Sequence, residues 1–185
     1  MKPKAFPWPS KIVGYGEVQT ESILANEKNW RVHPKTQTDA LASILSEVGI
    51  VQNILINKRT SIEWTPEDRN VETLCDGHAR SLLALRSGQP TLPVTFVDLT
   101  PNEEMLIMSV LDPISALAVA DTEKLAALLH DVSSGESAIQ QMLSQLAEEH
   151  GIVPPAFAPA SIEEQGRLDQ KQPIVCPHCG GEFTP

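Results

Sequence analysis

The sequence predicts an α+β fold: a small mixed sheet with packed helices, followed by a helical extension and a C-terminal zinc-knuckle-like tail. Three observations lead there. Short apolar, β-branched runs alternate with amphipathic helical spacing up to about residue 100. Beyond Thr100 the apolar spacing is helical alone. The mixed part also lacks the regular strand–helix rhythm of a doubly wound sheet.

Taken in order, residues 1–17 are punctuated by Pro and Gly and read as irregular, with a short strand near Lys11–Tyr15. A main domain is expected over residues 18–112. Within it, Asn29-Trp-Arg-Val-His-Pro34 is extended, because Pro34 bars a helix before it. Leu41, Ile44, Leu45 and Val48 recur at helical spacing and predict a helix over 37–48, ended by Gly49. Gly49–Asn57 reads as a strand, 57–70 as a polar hairpin excursion, and Val71–Cys75 as a second strand. Asp76-Gly77 is a turn, His78–Ser87 a helix closed by Gly88, and Pro93–Leu99 a third strand. These strands are expected in one mixed sheet with the helix 37–48 packed on it. Thr100-Pro-Asn-Glu-Glu starts a helix, with a cap, a Pro at its first position and early acids. Further helices are expected at 114–119, 122–131 and 136–149, so that 113–150 forms the extension. Residues 151–173 hold four Pro and read as a linker. Residues 174–185 form the tail.

Composition narrows the function. Apolar residues make up 41%, enough for a real core. Aromatic residues make up only 4%, too few for base-stacking platforms to be the main tool. The net charge of −10 argues against a dedicated non-specific DNA binder, which needs basic surface. The charge is uneven, however. Residues 1–40 hold six Lys or Arg against four acids, whereas residues 101–150 hold one against nine. Contacts with phosphates are therefore expected on the N-terminal half, and the acidic stretch is most simply a solvated helical surface. No run approaches the length of a membrane span, and the basic start lacks an apolar leader core, so a cytoplasmic protein without membrane contact is expected.

The segment Asp76-Gly-His-Ala-Arg80 carries the chemistry. A strand running into Gly77 and then a helix aims free backbone N–H groups at one point, where the helix dipole favours an anion. Gly lets a phosphate approach the backbone, and Arg80 can add a bidentate clamp. His78 could donate to a phosphate or act as a general acid or base. Asp76 could hold a metal ion or orient His78. On its own, the plainer reading of this segment is a connector, with Asp76 a turn residue or cap.

Four segments together carry a resemblance. Asn29-Trp-Arg-Val-His-Pro34, Gly49-Ile-Val-Gln-Asn-Ile-Leu-Ile-Asn57, Leu74-Cys-Asp-Gly-His-Ala-Arg-Ser-Leu-Leu-Ala84 and Leu92-Pro-Val-Thr-Phe-Val-Asp-Leu99 resemble the ParB-like N-terminal domain, over roughly residues 18–112. The stretch Leu111–Leu129 looks like the helical extension of the phage and mobile-element subgroup associated with DNA methyltransferases. The resemblance implies the ParB/sulfiredoxin fold, with Gly77, His78 and Arg80 lining the phosphates of a nucleoside triphosphate, ATP or CTP, with Mg²⁺. It places Gln52 where ParB proteins hold the nucleotide, and Arg31 and His33 facing the same pocket. It implies service to DNA beside a methyltransferase or another phage DNA-processing protein in modification, packaging or segregation. The alternative is a ParB-like nuclease or nucleotide phosphohydrolase acting alone, with His78 and Asp76 catalytic. Gly-His-Ala-Arg replaces the usual Gly-Glu-Arg-Arg, which leaves CTP hydrolysis and clamp closure outside what the resemblance implies. Sulfiredoxins carry a catalytic Cys directly after the Gly, where this chain has His78, so Cys75 reads instead as a small buried residue. No Asp-Pro-Pro-Tyr motif is present, so methylation by the chain itself is not expected.

In the tail, Cys176-Pro-His-Cys179-Gly-Gly offers two thiolates at zinc-knuckle spacing, whereas structural zinc takes four ligands. A half-site shared across a homodimer, a remnant of a longer ribbon and an unmetallated tail all remain open.

Overall fold

The computed structural model describes residues 8–153 together with the strand residues 174–175 and 182–183. Strands β1 (Ile12–Gln19), β2 (Ile54–Asn57), β3 (Thr73–Asp76) and β4 (Thr91–Val97) form one sheet in the order β1-β4-β2-β3. β4 lies parallel to β2 and antiparallel to β1, and β2 is antiparallel to β3. The sheet is therefore mixed. Leu24 bridges Thr73 in parallel on the outer side of β3. Buried positions alternate along β4 at Leu92 and Val94, as a strand with one covered face requires. They join Ile54, Ile56, Leu74 and Ala84 in the core, with Val18, Ile23 and Phe96 at its border.

Helix α1 spans Lys35–Glu47 and α2 spans His78–Ser87. Both ends of α2 are set by glycine: Gly77 precedes it at φ 96°, and Gly88 closes it at φ 72°. The extension comprises α3 (Pro101–Ala116), α4 (Thr122–Asp131) and α5 (Ser137–Glu149). The Thr100 hydroxyl accepts from the Glu103 N–H while the Glu103 carboxylate accepts from the Thr100 N–H, a complete capping box.

Several expectations are corrected. The short strand expected near Lys11–Tyr15 is present but longer, running over eight residues from Ile12 to Gln19. β2 starts at Ile54 rather than near Gly49, because the Gln52 and Asn53 carbonyls accept from Arg80 instead of a neighbouring strand. There is no separate helix at 114–119. α3 runs through Pro113 to Ala116, since a proline so near the end disturbs only the last turn. The excursion between β2 and β3 consists of turns rather than a hairpin ladder. Helix α1 packs chiefly on α5 and α2, not on the sheet. Its Leu41 and Ile44 line a groove with Ile139 and Met142 of α5, which takes these two residues of the apolar stripe away from the strands. A cavity of about 480 Å³, lined by Leu45, Ile50, Ile54, Leu83 and Leu92, is left between α1, α2 and the sheet.

Ile174–Val175 (β5) pairs antiparallel with Glu182–Phe183 (β6). Cys176 and Cys179, the candidate zinc ligands, lie outside the described residues.

Candidate functional site

The turn at Gly77 admits only glycine. Its φ is +96°, and a Cβ there would stand 2.7 Å from Ile54 Cγ2. Helix α2 begins directly after it, with no side-chain cap among the described residues. The N–H groups of its first turn therefore have no partner within the helix.

Asp76, the last residue of β3, sits between two guanidinium groups. Arg80 Nη2 donates to its Oδ2 at 2.8 Å, and Arg31 Nη1 to its Oδ1 at 3.4 Å. Arg80 Nη1 donates to the backbone carbonyls of Gln52, at 2.8 Å, and Asn53, at 3.2 Å. Arg80 thus ties the end of β3, the first turn of α2 and the approach to β2 together, and its side chain is only 13% exposed. Arg31 is held in the same way, at 14% exposure between Asp76 and Asp112. Gln52 takes part through its carbonyl oxygen, on the far side of Arg80. Asp76 thereby meets one arginine through each of its oxygens.

On the other side of the turn lies a cleft of about 840 Å³, where the first turn of α1 faces α2 across the Asn29–His33 segment. Arg31, His33, Lys35, Thr38, His78 and Ser81 line it, over Thr20 and Ile23. Lys35 is paired with Asp39 at 2.6 Å, and His33 Nδ1 meets Gln37 Oε1 at 3.0 Å. Three buried polar atoms of the lining residues have no hydrogen-bond partner among the described residues: Thr20 Oγ1, Ser81 Oγ and Arg31 Nε. Arg31 Nε lies 2.9 Å from the Asp112 carboxylate as an ion pair, off the hydrogen-bonding direction. The predicted residues therefore fall into two groups. Arg31, His33 and His78 share the cleft, while Gln52 and Arg80 line the apolar cavity behind the turn.

No family model and no curated protein sequence matches the chain. It is similar to ParB proteins of solved structure. One is the C-terminally truncated chromosome-partitioning protein ParB from Caulobacter crescentus complexed with CTP-gamma-S, at 17% identity and a TM-score of 0.49, covering 76% of this chain and 73% of that chain. Another is the same truncated protein complexed to the centromeric parS site, at 16% identity and a TM-score of 0.41, covering 75% and 66%. A third is the C2221 form of a Pnob8-like ParB-N domain, at 13% identity and a TM-score of 0.42, covering 92% of this chain and 57% of that one.

His78 is half-buried, and the backbone N–H of Asn26 donates to its Nε2 at 3.4 Å. Burial pushes its pKa below the ordinary histidine value, Arg31 and His33 add to this, and Asp76 only partly opposes it. The imidazole is accordingly neutral at pH 7. Among the described residues no three His, Cys, Asp or Glu side chains gather into a metal-binding group, and no helix is long and apolar enough to cross a membrane.

Cys75 is buried at 3% exposure, and burial together with the nearby Glu104 charge pushes its thiol up to about 12. The thiolate, the reactive form, is thus scarce at neutral pH. Native protein is expected to leave Cys75 unmodified by a thiol reagent over hours at pH 8, as read by peptide mass spectrometry. Rapid labelling of folded protein at Cys75 would contradict this burial.

A buried polar network escapes the sequence reading altogether. Glu104, fully buried on α3, accepts from Arg59 Nη2 at 2.7 Å and Nε at 3.1 Å, from Asn57 Nδ2 at 2.7 Å and from Asn26 Nδ2 at 2.8 Å. The Arg59 guanidinium stacks 4.4 Å from the centre of the Trp64 ring, whose N–H donates to the Leu99 carbonyl. A signal was present: Glu104 and Met108 stand four residues apart on one helical face, and Met108 is apolar and buried.

Proposed function

We propose that the cleft binds the phosphates of a nucleoside triphosphate and that the chain is a ParB-like nucleotide-binding module serving DNA transactions. The observation that carries this is the cleft itself, which gathers Arg31, His33, Lys35 and His78 beside the start of α2, a helix with no side-chain cap among the described residues. The unpartnered N–H groups at the start of α2 add the field expected of an anion site. In this reading Arg31, His33, His78 and the backbone after Gly77 hold the phosphates, while Arg80 shapes the turn. Mg²⁺ would arrive with the nucleotide, ATP or CTP, because the described residues provide no metal group of their own. DNA is reached through a partner, a methyltransferase or another DNA-processing protein of a phage or mobile element, since the chain carries a net charge of −10. The sequence resemblance supports this last step.

The test is calorimetry with ATP, CTP, GTP and ADP, with and without Mg²⁺. Arg31→Ala is expected to weaken binding roughly 10- to 150-fold, the worth of a charge-assisted contact. Folded wild-type protein that binds no nucleotide at millimolar concentration would reject the reading.

A further inference from the structure

We infer that Asn26 and the buried Glu104 position His78 and hold it as the neutral Nδ1–H tautomer, so that the ring offers the cleft a hydrogen-bond donor and no base. The geometry runs through one residue. Asn26 is 4% exposed, and both ends of its side-chain amide are engaged. Its Nδ2 donates to Glu104 Oε1 at 2.8 Å, and its Oδ1 accepts from the Lys28 N–H at 3.0 Å. So anchored, its backbone N–H points at His78 Nε2, 3.4 Å away. A ring nitrogen that accepts a hydrogen bond carries no proton, and in a neutral imidazole the proton then sits on the other nitrogen. Glu104 is itself fixed by Arg59 and Asn57. The tautomer of a cleft residue is thereby set from α3, through a carboxylate that never meets the ligand.

The consequence is chemical. With the Nε2 lone pair occupied and Nδ1 protonated, His78 has no site that can take a proton from a ligand. The other charged or titratable groups acting on the ring are Asp76, Arg31 and His33, and the first of these has both oxygens held by arginines. A phosphoryl oxygen, an acceptor, matches Nδ1–H, whereas activation of a water or hydroxyl needs a base that His78 cannot supply. This assigns His78 to binding rather than hydrolysis. Its ligand side rests on the phosphate reading of the cleft, while its tautomer side does not.

The experiment is a long-range ¹H–¹⁵N correlation spectrum of the full chain with labelled histidines and no ligand, with the His78 signals identified by their loss in His78→Asn. The Nδ1–H pattern is expected for His78. In Asn26→Ala the ring should become a mixture of tautomers. Wild-type His78 in the Nε2–H form would overturn the inference, as would a folded Asn26→Ala protein with an unchanged His78 spectrum. Inorganic pyrophosphate is then titrated into wild type, His78→Ala and His78→Asn. A lost hydrogen bond to a charged phosphate oxygen should weaken binding to His78→Ala roughly 10- to 150-fold, and His78→Asn, whose amide N–H can stand near the Nδ1 position, should recover most of it. Equal binding by wild type and His78→Ala would refute the donor role. Failure of wild type itself to bind pyrophosphate would reject the phosphate reading and leave the tautomer result standing.

Discussion

Glu104→Ala is expected to lower the stability of the domain by about 3–5 kcal/mol, the usual cost of removing one partner from a buried ion pair. The carboxylate accepts four hydrogen bonds from Arg59, Asn57 and Asn26. Its removal strands the Arg59 guanidinium, whose side chain is 2% exposed. Chemical denaturation of wild type and variant measures the difference. Arg59→Met combined with Glu104→Leu should cost less than the two single changes added together, because no unpaired charge is then left inside. The network also gives stability a pH dependence of definite sign. Burial alone would raise the Glu104 pKa, but the hydrogen bonds from Arg59, Asn57 and Asn26 outweigh it and hold the carboxyl below the ordinary range. A depressed carboxyl contributes its stability in full above its unfolded pKa of about 4.3 and loses it as pH falls through the folded value. His78 acts in the same direction one step earlier. Its pKa is lowered on folding, so the unfolded chain takes up the proton first, and stability declines as pH falls below about 6.5. A stability profile flat from pH 7 to pH 3 would contradict both assignments.

Gly77→Val is the second large effect. A left-handed backbone costs a residue with a Cβ about 1–2 kcal/mol. The added Cβ would also meet Ile54 Cγ2 at 2.7 Å, and Ile54 is a core residue at 1% exposure that cannot swing aside. Overpacking of this kind typically adds about 1–3 kcal/mol. The sum, roughly 2–5 kcal/mol, should show as a lowered thermal midpoint in the absence of any ligand. Seen only as an exposed turn, the same position would tolerate valine and lose binding alone. A variant as stable as wild type but weaker in nucleotide binding would favour that simpler picture over the packing described above.

Much of the fold is legible in the residues. Helix α2 could be bounded from Gly77 and Gly88, and its bounds match the expected His78–Ser87. Strands β2, β3 and β4 were visible as apolar, β-branched runs, and they do share one mixed sheet. Long-range pairing was not legible. Whether Leu41 and Ile44 face strands or another helix depends on where α5 returns, which periodicity does not encode. The same holds for charge. Glu103 and Glu104 look alike in a row of acids, yet Glu103 caps its helix at the surface while Glu104 lies fully buried. In the cleft, Arg31, His33 and His78 were expected together and are together. Arg80 was expected with them, but the Asp76 carboxylate and two carbonyls draw it to the other side of the turn.

The seating of α1 on α5 has a kinetic side. These helices lie roughly a hundred residues apart in the chain. During synthesis, the sheet strands and α2 emerge well before the residues that cover Leu41 and Ile44. For that interval Leu41 and Ile44 of α1 are open to chaperones or to neighbouring nascent chains, and their docking waits for α5 to leave the ribosome. Ribosome-bound chains halted before Ser137 should therefore expose α1 to limited proteolysis, and chains extended past Glu149 should protect it.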